Sequence, residues 1–275
     1  MEKKLSFEIA ESPVIYDVNG QIYNSKSHKV IHKVEDPSDV LSVMKNSYTP
    51  MFNSDFMESV DRLGEISGMP IEGYSEFGDG KIVMGFLKNN VEDFKIDGHQ
   101  IQDYLMVGSS FDGRYPFFVG TSTVLIRCQN QFSRISKITK IRHTKSSPLR
   151  REELFKTLET YFDSRKKMYE NFEKLVKIEV SPEVRQLVVD RIMQISQEDR
   201  LDEKISTRKL NLIDTLQANI TTEFNDLGEN MWALFNGVTR FTTHHLNPKE
   251  RVFGNVFGAP AEYNARAYEM ALEYV

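Results

Sequence analysis

The residues of this sequence with the clearest chemical pattern are cations. Nine Lys or Arg side chains lie between Gly113 and Arg151, a stretch of 39 residues without a single Asp or Glu. Because the formal net charge of the whole chain is −5, the remaining residues carry −14, and charge is strongly segregated along the sequence. Cations at this density neutralise phosphates, so residues 113–151, here named the basic segment, favour binding to a nucleic-acid backbone.

The basic segment also contains the partner groups that such binding uses. Its Ser and Thr hydroxyls can donate hydrogen bonds to phosphate oxygens, and aromatic side chains can stack on unpaired bases. We predict that nucleic acid is bound by Arg127, Arg134, Lys137, Lys140, Arg142, His143, Lys145, Arg150 and Arg151. The candidates for base stacking are Tyr48, Tyr115 and Phe132. The alternative is a solvated cationic surface that pairs with acids elsewhere in the fold.

Motifs of the commonest enzyme classes are missing from the sequence. It has no Gly-x-Gly-x-x-Gly, no phosphate-binding Gly-x-x-x-x-Gly-Lys-Ser/Thr, no Gly-x-Ser-x-Gly and no His-Glu-x-x-His. His28 and His32 lie four residues apart without an obvious third ligand, and His244-His245 end a predicted helix, where they interact favourably with its dipole. We assign no catalytic residue and expect no metal or nucleotide cofactor. An enzyme on nucleic acid that uses His244, His245 or nearby acids stays an alternative.

Composition indicates a globular chain in a reducing compartment. Hydrophobic residues make up 40% of the 275 residues, and no apolar run approaches the ~20 residues of a membrane span. The N-terminus lacks the apolar core of a signal peptide. The single cysteine, Cys128, excludes an internal disulfide and a cysteine-based zinc site. We therefore expect a cytoplasmic protein.

The first half of the chain is predicted to mix helices with antiparallel strands. Residues 36–45 read as a short helix, and a second helix begins at Asn53 as its N-cap and ends at Gly68. Two Asp-Gly turns, at residues 79–80 and 112–113, then separate apolar strands. Residues 69–128 therefore predict an antiparallel meander, with a long loop over 89–100.

The second half is predicted to be helical. Apolar spacing marks a long amphipathic helix from about 149 to 177, and Ser181-Pro182 starts a new one. Further helices are predicted over 182–197, 207–224, 229–242 and 260–274. The fold class is α+β: short N-terminal helices, an antiparallel β-meander backed by helices, and a mostly helical C-terminal half. We place one domain at 1–148 and a helical region packed on it at 149–275.

Several stretches together resemble a phage/plasmid-like family of uncharacterised proteins. These are NSYTPMFNSDFMESVDRL (46–63), DYLMVGSSFDGRYPFFVGTSTVLIRCQNQF (103–132), IRHTKS (141–146), MWALFNGVTRFTTHHL (231–246) and VFGAPAEYNARAYEMAL (256–272). The resemblance implies a setting, phage or plasmid DNA in a bacterial host cytoplasm, more than an activity.

The opening of the chain is also similar, more distantly, to Erf and RecT type phage single-strand annealing proteins. Tyr48, a helix that ends at Gly68 and a following meander carry this similarity. It implies a curved sheet backed by helices, a ring or filament of identical subunits, and single-stranded DNA in a basic groove. Backbone binding of single-stranded DNA, with strand annealing, is therefore our hypothesis. The alternative is a phage or plasmid interaction or structural protein whose basic face docks an acidic protein partner.

Overall fold

The computed structural model describes residues 4–89, 94–125, 130–156, 158–201, 205–246 and 251–275. At residues 94, 125, 134–139, 158–165, 201 and 251–253 only the backbone is described. The fold is α+β, with antiparallel sheets followed by a helical C-terminal half. This confirms the predicted fold class.

The strands precede nearly all of the helices. They are β1 Ile9–Val18, β2 Gln21–Lys33, β3 Val40–Lys45, β4 Ile71–Phe77, β5 Ile82–Lys88, β6 Phe94–Ile96, β7 His99–Ser110, β8 Phe117–Leu125 and β9 Asn130–Ile141. Helix α1, Asn53–Ser67, lies between β3 and β4. The helices that follow β9 are α2 Ser147–Lys156, α3 Leu158–Val176, α4 Pro182–Met193, α5 Gln197–Leu201, α6 Thr207–Leu227, α7 Met231–Phe241, α8 Arg251–Phe257 and α9 Ala259–Leu272, with a π-helix at Thr242–Leu246 between α7 and α8.

Two antiparallel sheets carry the strands. One has the order β1-β2-β3, and the other has the order β4-β5-β7-β8-β9 with β6 paired to β7. Gly78-Asp79-Gly80, all with positive φ, closes the β4–β5 hairpin that the sequence predicted. The predicted helix over 36–45 is wrong, because β3 occupies Val40–Lys45 and pairs with β2 from His28 to His32. Its β-branched residues Val40 and Val43 suit a strand.

The chain divides into two compact units. The first contains Met1–Glu92, Tyr104–Thr121 and Ile135–Glu159, and the second contains Asp93–Asp103, Ser122–Arg134 and Thr160–Val275. Strands β7, β8 and β9 each contribute residues to both. The sequence placed its boundary at 148–149, whereas α2 belongs to the first unit.

Helix α1 organises the core of the first unit. Phe56, Val60 and Leu63 are fully buried on one face. The helix approaches β5 where Gly85 has no side chain, since a Cβ there would lie 2.9 Å from Val60. The left-handed Gly68 ends the helix, as predicted.

The second unit is built around an aromatic core. Phe172 of α3 lies with its ring centroid 4.8 Å from Trp232 of α7, and Phe132 of β9 lies 5.1 Å from Phe235 and 5.2 Å from Tyr268. Aromatic pairs at these distances stabilise a core beyond their burial alone. Ser181 caps α4 by accepting a hydrogen bond from the Val184 N–H, with Pro182 in the first turn, as the sequence predicted.

Candidate nucleic-acid interface

A group of exposed cations in the basic segment follows the end of β9 into α2. Four of the predicted cations, Lys140, Arg142, Lys145 and Arg150, are exposed. None of the four forms an ion pair within the part of the chain that the structure describes. Because exposed cations without a neighbouring carboxylate keep their full charge for a ligand, these four define the candidate interface.

A short turn brings these cations from the strand to the helix. The Ser147 N–H donates to the Thr144 carbonyl at 2.8 Å, and the Thr144 and Ser146 hydroxyls lie 3.1 Å apart. Helix α2 has no acid in its first turn. The two hydroxyls and the helix dipole favour an anion at this end of α2.

Arg151 has a different environment from the four exposed cations. It is half-buried, and burial lowers its pKa, while Asp55, Glu152 and Glu58 act in the opposite direction. These groups line a cleft of about 190 Å³ between α1 and α2. Since three carboxylates surround Arg151 there, its charge is partly matched within the protein.

His143 is a buried structural residue. It is 8% exposed, and its Nε2 lies 3.2 Å from the Tyr115 carbonyl and 3.4 Å from the Ser109 hydroxyl. Burial lowers its pKa to about 4, and Arg151 contributes in the same direction. His143 is therefore neutral near pH 7 and adds no charge to the interface.

The three predicted stacking residues are half-buried or buried. The Tyr48 hydroxyl donates to the Ser110 carbonyl at 2.8 Å, and its ring centroid lies 5.3 Å from that of His143. Burial raises the pKa of Tyr48. Tyr115 is half-buried and exchanges backbone hydrogen bonds with the Ser110 hydroxyl. Phe132 is 5% exposed in the aromatic core, where no base can reach its ring.

Three predicted phosphate contacts remain predictions. Arg127 lies outside the described residues. Arg134 and Lys137 lie in the part of β9, residues 134–139, for which the structure describes the backbone alone.

The second unit contains a buried polar network that the sequence analysis missed. The Asn130 amide donates to Glu223 Oε1 at 3.1 Å and to the Asn236 carbonyl at 3.3 Å. Arg240 donates to the same Glu223 oxygen at 3.3 Å. Glu223 is 1% exposed, so hydrogen bonds such as those from Asn130 and Arg240 must replace the water that this carboxylate loses on burial.

A second group of buried amides and hydroxyls surrounds the π-helix. Thr242 donates to Asn264 at 2.8 Å, Asn264 donates to Asn255 at 3.2 Å, and Asn255 donates to Thr243 at 3.4 Å. The Gln131 N–H also donates to Thr243, at 3.1 Å. Polar residues on the apolar faces of predicted helices were the available signal for this network. Its geometry fixes one packing arrangement of the strand and the helices.

Metal ligands do not gather in the described ranges. Groups of three or more His, Cys, Asp or Glu that could hold an ion are absent there. His32 instead bonds the Ser12 hydroxyl and the Lys33 carbonyl, each at 2.8 Å, and His28 bonds the Ser27 hydroxyl. Among the helices that the structure describes, none is both long and apolar enough to cross a membrane.

The fold and the site together define an α+β domain with a cationic strand-to-helix junction and no recognised catalytic motif. Residues 40–269 match the model of the family described as "Domain of unknown function (DUF932)". The chain therefore belongs to this family. Comparison with curated proteins and with solved structures gave no significant match.

Proposed function

We propose that this protein binds single-stranded DNA through its phosphate backbone. The observation that carries the proposal is a set of four exposed cations within eleven consecutive positions, Lys140, Arg142, Lys145 and Arg150, which form no ion pair with any residue that the structure describes. Each cation that meets a phosphate releases counterions, and the hydroxyls of Thr144 and Ser146 supply neutral contacts beside them. Such contacts position a strand without reading its sequence.

More specifically, we propose that the protein anneals complementary single strands in a phage or plasmid setting. A protein that holds two strands by their phosphates leaves the base edges free to pair, and pairing releases free energy without a nucleotide cofactor. We propose a homo-oligomer for this role, because the acidic remainder of one subunit can meet the basic segment of the next.

The test is fluorescence anisotropy with a labelled ~30-nucleotide single strand across a salt series. We compare the wild type with the quadruple variant Lys140→Ala, Arg142→Ala, Lys145→Ala and Arg150→Ala. Each phosphate contact on a single strand contributes about 0.7 to the slope of log affinity against log salt, so the variant should lose roughly 2 to 3 from that slope.

The matched control removes four exposed lysines of the second unit, Lys166, Lys167, Lys174 and Lys177. It changes the net charge by the same amount and should leave the slope close to that of the wild type. An equal loss in both variants would show that net charge, and not this site, governs binding. No wild-type binding at ~50 mM salt would contradict the DNA proposal and favour an acidic protein partner. Cleavage of the strand when Mg²⁺ is added would favour an enzyme.

A further inference from the structure

Strands β1 and β2 continue past the three-stranded sheet as a two-stranded ribbon. Strand β3 pairs with β2 only from His28 to His32, whereas β1 and β2 pair up to Val18 and Gln21. Asn19 and Gly20, both with positive φ, close the ribbon with a tight turn. Every residue from 15 to 24 is exposed. These ten residues, here named the ribbon, precede the region that matches the family model.

The ribbon places large apolar side chains in water. Tyr16 and Tyr23 lie opposite each other on the two strands and are 49% and 42% exposed. Their rings are nearly parallel, at 22°, with centroids 5.8 Å apart. Ile22, on the other face, is 74% exposed. Exposed apolar area of this kind indicates a surface that a partner covers.

The base of the ribbon lies beside the candidate interface within the first unit. Asn46 donates its amide to the Lys26 carbonyl at 3.0 Å and its N–H to the Ser27 carbonyl at 2.9 Å. Two residues further, Tyr48 contacts His143, which Arg142 precedes directly in the chain.

Further exposed cations lie between the base of the ribbon and the candidate interface. Lys26 and Lys45 are exposed and, within the residues described, form no ion pair. The ribbon itself has one charged residue, Asp17. The ribbon thus combines exposed aromatic rings with cations near its base. This combination complements single-stranded nucleic acid, whose bases stack on aromatic rings and whose backbone is anionic.

We propose that Tyr16 and Tyr23 stack on bases of a single strand whose phosphates lie on Lys26, Lys45, Arg142 and Lys145. This inference rests on the proposed function and adds a base-binding element to it. It also gives the interface two exposed aromatic rings, whereas Tyr48 and Tyr115 are half-buried and Phe132 is buried. A single strand supplies both bases for the two rings and phosphates for the cations, whereas acidic side chains of a second copy of this chain would engage the cations alone.

The test is a cycle that combines a protein change with a DNA change. We measure the affinity of the wild type and of Tyr16→Ala/Tyr23→Ala for an ordinary oligonucleotide and for one with a central run of abasic sites, which keeps the phosphates. Loss of base stacking at two rings should weaken binding of the ordinary strand by at least roughly 30-fold. Both proteins should bind the abasic strand equally, and the salt slope should not change.

Two control variants separate stacking from folding. Tyr16→Phe/Tyr23→Phe keeps the rings and should bind like the wild type. Ile15→Ala/Ile22→Ala removes apolar side chains from the opposite face of the ribbon and should also retain affinity.

The inference is overturned if Tyr16→Ala/Tyr23→Ala binds the ordinary strand as tightly as the wild type. In that case the proposed function still stands if the quadruple cation variant loses its salt slope. A fall in sedimentation coefficient of the tyrosine variant without DNA would instead assign the ribbon to a second copy of the chain. If the wild type binds no strand at all, the proposed function fails first and this inference with it.

Discussion

At the scale of single residues, charge and burial separate cations that look equivalent in the sequence. Lys140, Arg142, Lys145 and Arg150 are exposed, whereas His143 and Arg151 are held by neighbours on other elements. Sequence alone located the basic segment because charge is visible residue by residue. It could not show which members are buried, since the partners Asp55 and Tyr115 are distant from them in the chain.

His143 predicts a specific dependence of stability on pH. Its pKa in the folded protein is about 4, below the ordinary 6.5, so the unfolded chain binds a proton through this window that the folded protein does not. The free energy of unfolding should therefore fall as pH drops from about 6.5 to 4, by as much as about 3 kcal/mol. Urea unfolding followed by circular dichroism at pH 7 and pH 4.5 measures this.

The control for this effect is His143→Gln. Glutamine retains a donor for the Tyr115 carbonyl but does not titrate, so the variant should lose most of the difference between the two pH values. An unchanged difference would assign the pH dependence to other groups.

At the scale of elements, the most successful sequence predictions concerned turns and helix ends, whose structure is determined by adjacent residues. The Asp79-Gly80 turn, the Ser181-Pro182 start of α4 and the glycine end of α1 formed as predicted, whereas Asp112-Gly113 lies in a longer loop between β7 and β8. Prediction failed where the local structure depends on residues that are distant in the sequence. Residues 40–45 form a strand because β2 pairs with them, and the polar network of Asn130 with Glu223 joins residues 93 positions apart.

The start of helix α1 shows the same principle and can be tested. Asn53 does not cap the helix. Its amide donates to the Phe7 carbonyl, while the Glu8 carboxylate accepts the N–H groups of Asn53 at 2.8 Å and Ser54 at 2.9 Å. Glu8→Ala should lower the free energy of unfolding by about 1 to 2 kcal/mol, because a cap and a favourable charge at the helix N-terminus are lost. Urea unfolding at pH 7 measures the change.

A matched substitution on the neighbouring strand sharpens this test. Glu11→Ala removes an ion pair with Lys29 at a more exposed position and should cost less than about 1 kcal/mol. Equal losses in Glu8→Ala and Glu11→Ala would show that Glu8 has no capping role.

At the scale of the whole molecule, the separation of charge matters more than its sum. The sequence pI is about 5.8 and the net charge is −5, so a uniformly charged protein of this composition would be repelled by a polyanion. We expect this protein to be retained on heparin at pH 7.5 and low salt in spite of its net negative charge. The quadruple variant of Lys140, Arg142, Lys145 and Arg150 should elute at clearly lower salt.

The control variant of Lys166, Lys167, Lys174 and Lys177 has the same net charge, −9, and should elute near the wild type. Co-elution of the two variants would mean that the position of these charges has no influence, and the basic segment would lose its role as an anion-binding surface.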